Sequence, residues 1–240
     1  MMTLLESTAS SPAAVRGMKI ALVSATRVAI SPDILGAAKF LAGRGHRVVV
    51  LASEDAPLPE YWFPEPWIEM RKFRLSTGGG GLRNRLRRIG GFATWVLHEA
   101  LATQPDLLIG YDPDGLTAAT LAAQALGGRS CVYHSLELYT SHDLKQSAQV
   151  LKKVAEVGLN HGAVATVVHD KRREQVLRSI NLLPASHCVL TVPNAPLAAG
   201  SFTRKPSTPG SAERTVLYHG GLGPINHVET IIESVALWPE

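Results

Sequence analysis

Chemistry-capable side chains concentrate where the apolar runs of this chain give way to loops. His134 closes the run Ser130–His134, and Glu137 follows three positions later. Either can take or give a proton near neutral pH once its surroundings shift its pKa, which makes the two the candidate catalytic pair. Hydrogen bonding confined to a strand-end loop is the alternative for both. Asp112 and Asp114 flank Pro113 just before Gly115, a spacing that suits a turn residue followed by a helix cap at Asp114. Thr26 stands in a further polar loop of the same kind, and Tyr139 closes the loop that carries His134 and Glu137. A glycine-rich turn, Gly220-Gly221-Leu222-Gly223, lies between a strand-like and a helix-like segment, where backbone N–H groups can approach a phosphate. A dinucleotide fingerprint fits it poorly, because Gly221-x-Gly223-x-x-Asn226 lacks the third glycine. No two His or carboxylates show tight ligand spacing within a helix, so neither a metal nor a cofactor is expected.

These loops need elements to hold them, and the apolar pattern supplies an alternating series. Lys19–Ser24 and His46–Leu51 read as buried strands around a helix over 33–43 that ends at Gly43-Arg44-Gly45. Four prolines between 57 and 66 mark an irregular loop, and a short strand over 68–73 follows. Beyond the run Gly78–Gly81 a long helix is predicted over 82–102, then a strand at 106–110 and an alanine-rich helix at 115–126. The series continues with a strand at 130–134, a helix over about 143–160, a strand at 164–168, a basic helix at 170–180 and a strand at 188–192. Such alternation predicts an α/β, doubly wound, mostly parallel Rossmann-like sheet spanning 18–196. Residues 197–214, rich in Gly, Ser and Pro, read as a linker, and 215–240 as one βα unit of a second domain. Residues 1–17 read as a disordered tail, with no secretory signal.

Composition narrows the partners. Hydrophobic residues make up 45% of the 240 and charged residues 18%, enough apolar content for a full core. No window reaches the roughly 18 apolar residues that span a bilayer, so a cytoplasmic or membrane-surface protein is expected. Cys131 and Cys188 each fall in an apolar run outside any C-x-x-C pair and read as buried free thiols. The net charge of +4 is less informative than its distribution, since Arg83, Arg85, Arg87 and Arg88 cluster within six positions. With Leu82, Leu86, Ile89 and Trp95 they could rest on anionic lipid headgroups, or simply form a solvated basic side. Nucleic acid is not expected, because no aromatic platform accompanies the arginines.

Several stretches in fixed order carry a resemblance. They are Met18–Val23 with the later Gly43-x-Gly45-His46-x-Val48, Pro105–Ile109 with Tyr111-Asp112, and Tyr133-His134-Ser135-Leu136-Glu137-Leu138-Tyr139. Val192-Pro193-Asn194 and Leu217-Tyr218-His219-Gly220-Gly221-Leu222 complete the set. Together they resemble the retaining GT-B glycosyltransferases of family four, which build cell-envelope polysaccharides and glycolipids. The family's usual His falls at Leu136, and a His stands at 134 instead. The resemblance implies transfer of a sugar from a nucleotide-sugar donor to an acceptor hydroxyl, a carbohydrate or a lipid-linked one. It implies that His134 and Glu137, with Thr26, Asp112 and Tyr139, line an acceptor-side cleft, and that Gly220 and Gly221 meet the donor phosphates. The family's diphosphate-neutralising cations and donor-holding glutamates belong to a part beyond residue 240. The chain alone is therefore expected to be inactive, since losing even one preorganised donor group costs on the order of 100-fold. A non-catalytic acceptor-binding module that pairs with a separate donor domain is the alternative.

Overall fold

A computed structural model of the chain describes residues 17–25, 31–53, 66–74, 82–139, 147–193 and 228–234. The chain divides into two compact units, Met1–Ala198 and Ala199–Glu240. The first unit holds seven strands: β1 (Lys19–Ser24), β2 (Arg47–Ser53), β3 (Ile68–Phe73), β4 (Leu107–Tyr111), β5 (Ser130–His134), β6 (Ala165–Val168) and β7 (Val189–Thr191). Its helices are α1 (Pro32–Gly43), α2 (Leu82–Thr103), α3 (Asp112–Ala125), α4 (Ser147–Asn160) and α5 (Lys171–Ile180). In the second unit the described element is α6 (Val228–Ser234), with Ile232 exposed. The strand expected at 215–219, the linker and the first sixteen residues lie outside the described residues.

All strand pairings are parallel, in the order β3-β2-β1-β4-β5-β6-β7. Parallel strands covered on both faces read as continuous apolar runs, which is why β1 and β2 are legible in the sequence. One face packs Ala21, Val23, Val49 and Leu51 under Phe92 and Val96 of α2 and Leu116, Ala119 and Ala122 of α3. The other packs Ile20, Leu22, Val48, Val50 and Tyr111 under Ile34, Ala38 and Ala42 of α1.

Glycine brings the β4–α3 turn against the centre of the sheet. A Cβ at Gly115 would stand 2.5 Å from the Val23 carbonyl oxygen, and one at Gly110 would stand 2.6 Å from the Leu116 Cα. Neither position has room for a side chain, so α3 starts flush with the end of β1.

Three sequence readings need correction. The segment through Asp112 and Pro113 is not a loop but the first turn of α3, because Pro113, second in the helix, lacks only an N–H that the first turn leaves unpaired and presets the helical φ. Asp114 therefore lies within that turn, and the cap position is Tyr111, which makes no side-chain capping bond. Cys188 precedes edge strand β7 and is exposed, whereas Cys131 is buried; both are free.

Candidate functional site

The strand order reverses between β1 and β4, and this is where open α/β sheets leave a crevice beyond the carboxyl ends of the strands. Asp112 sits at that point with φ +55°, a left-handed conformation that Asp tolerates better than most residues. One carboxylate oxygen, Oδ1, accepts the backbone N–H groups of Leu136 and Glu137, each at 3.0 Å. The loop after β5 is fixed from other sides too. The Ser135 N–H donates to the Val167 carbonyl at 2.9 Å, its hydroxyl donates to the Glu137 carbonyl at 3.0 Å, and the Arg173 guanidinium donates to the Leu136 carbonyl. Burial pushes the Asp112 carboxyl up to about 6 although both N–H bonds favour the anion. A strained, desolvated carboxylate at a strand-end crevice is the pattern of a functional site rather than a stability device.

His134 faces the α1 side of the sheet. Its ring lies 4.9 Å from that of Tyr111 and meets His169 edge-on at 5.6 Å. The Nε2 atoms of both histidines are buried without a hydrogen-bond partner among the described residues, and Asp33 Oδ1 stands 4.0 Å from His169 Nε2. Burial, and then the neighbouring His169, lowers the His134 pKa to about 4, so the imidazole is neutral at physiological pH. Glu137 is exposed on the pinned loop. No hydrogen bond joins His134 to Glu137 among the described residues.

A cavity of about 340 Å³ opens at the same edge, between the first turns of α3 and α4 and the early part of α2. Ser53, Arg88, Phe92, Asp114, Tyr139 and Lys152 line it, and Lys152 is ion-paired with Asp114. A larger cavity, about 450 Å³, lies at the opposite, amino edge beside Lys19, Arg47, Trp67 and Thr103. The carboxyl edge is the better candidate, because the helix N-termini of a doubly wound sheet converge there and supply free N–H groups. The structure thus brings Asp112, Glu137 and Tyr139 to one edge of the sheet. Thr26, Gly220 and Gly221 lie outside the described residues.

Sequence reasoning missed a buried polar network beneath β5 and β6. The Tyr133 hydroxyl donates to Glu156 at 2.9 Å, Lys153 donates to Glu156 at 3.0 Å and to Asn181 at 2.5 Å, and Asn181 donates to Glu156 at 3.2 Å. Glu156 and Asn181 are fully buried. These groups are spread over residues 133–181 with no common spacing, and they join the later turns of α4 to the end of α5; the Glu156 charge is near enough to the crevice to help raise the Asp112 carboxyl. Among the described residues no helix is long and apolar enough to cross a membrane.

Comparison with known proteins places this geometry. No curated protein sequence matches the chain. Among solved structures, the sucrose-phosphate synthase of Thermosynechococcus elongatus superposes with a TM-score of 0.52 at 14% identity, over 73% of this chain and 48% of that one. A kitacinnamycin glycotransferase gives 0.56 at 17% identity, over 93% of this chain and 64% of that one. A UDP-N-acetylglucosamine 2-epimerase gives 0.53 at 12% identity, over 73% and 48%. The chain spans about half the length of the synthase and of the epimerase, and at these identities the likeness is one of fold. The family model for the glycosyl transferase 4-like domain, however, matches residues 29–195, well over half of the chain. The protein belongs to the glycosyl transferase 4-like domain family.

Proposed function

We propose that the first unit is the acceptor-side half of a retaining glycosyltransferase, moving a sugar from a nucleotide-sugar donor to an acceptor hydroxyl in cell-envelope polysaccharide or glycolipid synthesis. The observation that carries this reading is Asp112. Its carboxylate is kept ionised against burial to hold the 136–137 loop at the crevice, inside the span matched by the family model. In this reading Glu137, exposed on that loop, accepts the hydrogen bond of the reacting acceptor hydroxyl, and Tyr139 orients the acceptor from the cavity. His134 acts at one remove: with Nε2 buried and the ring neutral, it is a positioning residue under the loop. Gly220 and Gly221 serve the donor diphosphate, whose charge is neutralised by cations of a donor-side domain. No metal or organic cofactor takes part. The exposed Arg87 and Arg88 of α2, with Arg83 and Arg85, support peripheral contact with an anionic membrane on its inner, cytoplasmic face.

The test is transfer of radiolabelled sugar from a panel of nucleotide sugars, by the chain alone and with a family donor domain supplied in trans. Product that depends on the added domain supports the reading. Vigorous turnover by the chain alone overturns the assignment of the diphosphate cations to a separate domain. Acceptor binding without transfer under any condition favours a non-catalytic acceptor-binding module instead.

A further inference from the structure

The carboxyl-edge cavity contains two polar groups that the chain leaves unused. Ser53, the last residue of β2, is fully buried, and its hydroxyl has no hydrogen-bond partner among the described residues although it lines the cavity. Native structures rarely leave such a group unsatisfied, so a ligand oxygen is a natural partner. Arg88, on α2, lines the same cavity and has no ion pair among the described residues, while Lys152 is matched by Asp114. Among the described residues the cavity therefore carries one uncompensated positive charge. Two fourteen-residue helices, α3 and α4, also begin at this edge, and their N-terminal dipole ends favour an anion. At about 340 Å³ the space exceeds a bare oxyanion, and Ile89, Phe92 and Tyr139 give it an apolar wall with a phenol at one side.

We propose that this cavity binds the phosphate monoester of a sugar or polyol, and that the acceptor is such a phosphorylated molecule. Arg88 holds the phosphate through its guanidinium fork, and Ser53 donates its hydroxyl to the same group. The inference rests on the acceptor-side reading of the first unit and names the class of acceptor.

Calorimetric titration of the full chain with glucose 6-phosphate, inorganic phosphate and glucose tests it, alongside sedimentation with phosphatidylglycerol vesicles. Glucose 6-phosphate should bind and glucose should not. Binding should weaken about tenfold or more in R88Q and several-fold in S53A, and stay unchanged in R172Q, a charge control on α5. Vesicle binding lost in R88Q but kept in R172Q, without binding of the soluble phosphates, would identify a lipid headgroup as the source of the phosphate. Glucose 6-phosphate binding that R88Q leaves intact overturns the proposal, as does vesicle binding that falls equally in both arginine variants with no soluble binding. Undiminished transfer to sugar phosphates by R88Q, with the donor domain supplied in trans, would sink this site while leaving the glycosyltransferase reading intact. Retained R88-dependent phosphate binding without any transfer would do the reverse.

Discussion

Replacing Asp112 by Asn should stabilise the fold. The carboxyl moves from its ordinary 3.8 to about 6 in the folded state because burial removes its hydration. That rise weighs about 3 kcal/mol against the ionised form in the native structure. A folded-state pKa above the unfolded value means that the full stability is present below about pH 3.8 and is lost as pH rises through 6. Asn cannot ionise, yet its carbonyl oxygen can accept the same two N–H bonds from Leu136 and Glu137, and Asn tolerates the φ of +55°. Desolvating the new NH₂ group offsets part of the gain, leaving D112N more stable than the wild type by about 1–3 kcal/mol at about pH 8. Urea unfolding of both proteins from about pH 4 to about pH 8 measures the difference directly. It should be near zero at the acid end, grow up to pH 6 and then level off. A flat difference, or a D112N protein that is the less stable one above pH 6, would refute the argument that Asp112 is ionised at a cost.

The remaining predictions concern the scaffold and His134. E156L should lose about 3–5 kcal/mol in denaturant melts by stranding buried Lys153, and the K153M/E156L double variant should recover most of that; equal losses in both would show that the charge is not the issue. G115A, with its Cβ 2.5 Å from the Val23 carbonyl oxygen, should lower stability by about 1–3 kcal/mol, and an unshifted melt would mean that α3 is free to retreat. Imidazole NMR should find His134 neutral until the pH nears 4, so its contribution to stability is lost as pH falls from 6.5 through 4. A midpoint near 6.5 would place the ring in water.

The fold was legible because its central strands are buried on both faces and so appear as unbroken apolar runs, separated by helices whose Ala and Leu spacing is plain. Boundaries were less so where local and tertiary signals compete. The Asp-Pro-Asp segment carries turn chemistry, yet Pro113 opens α3 there. Cys188 looks like part of a strand, but edge strand β7 begins one residue later and has no outer neighbour to cover it. Asp112, Glu137 and Tyr139 were identifiable as strand-end polar residues, because the ends of parallel strands fall where apolar runs stop. Their roles were not, since the Asp112 bonds span 24 and 25 residues. Ser53 had no signal beyond ending an apolar run, and Lys153, Glu156 and Asn181 look like ordinary solvated helix polars until α4 and α5 are packed together.

Sugar transfer by the full chain with a donor domain in trans, compared across variants of the two sheet edges, tests the central claim most directly. At the carboxyl edge D112G, which removes the acceptor of both loop N–H bonds yet tolerates the φ of +55°, and E137Q should each lose at least about tenfold in turnover, and R47Q at the amino edge should match the wild type. Turnover unaffected by D112G and E137Q but lost in R47Q would contradict the account.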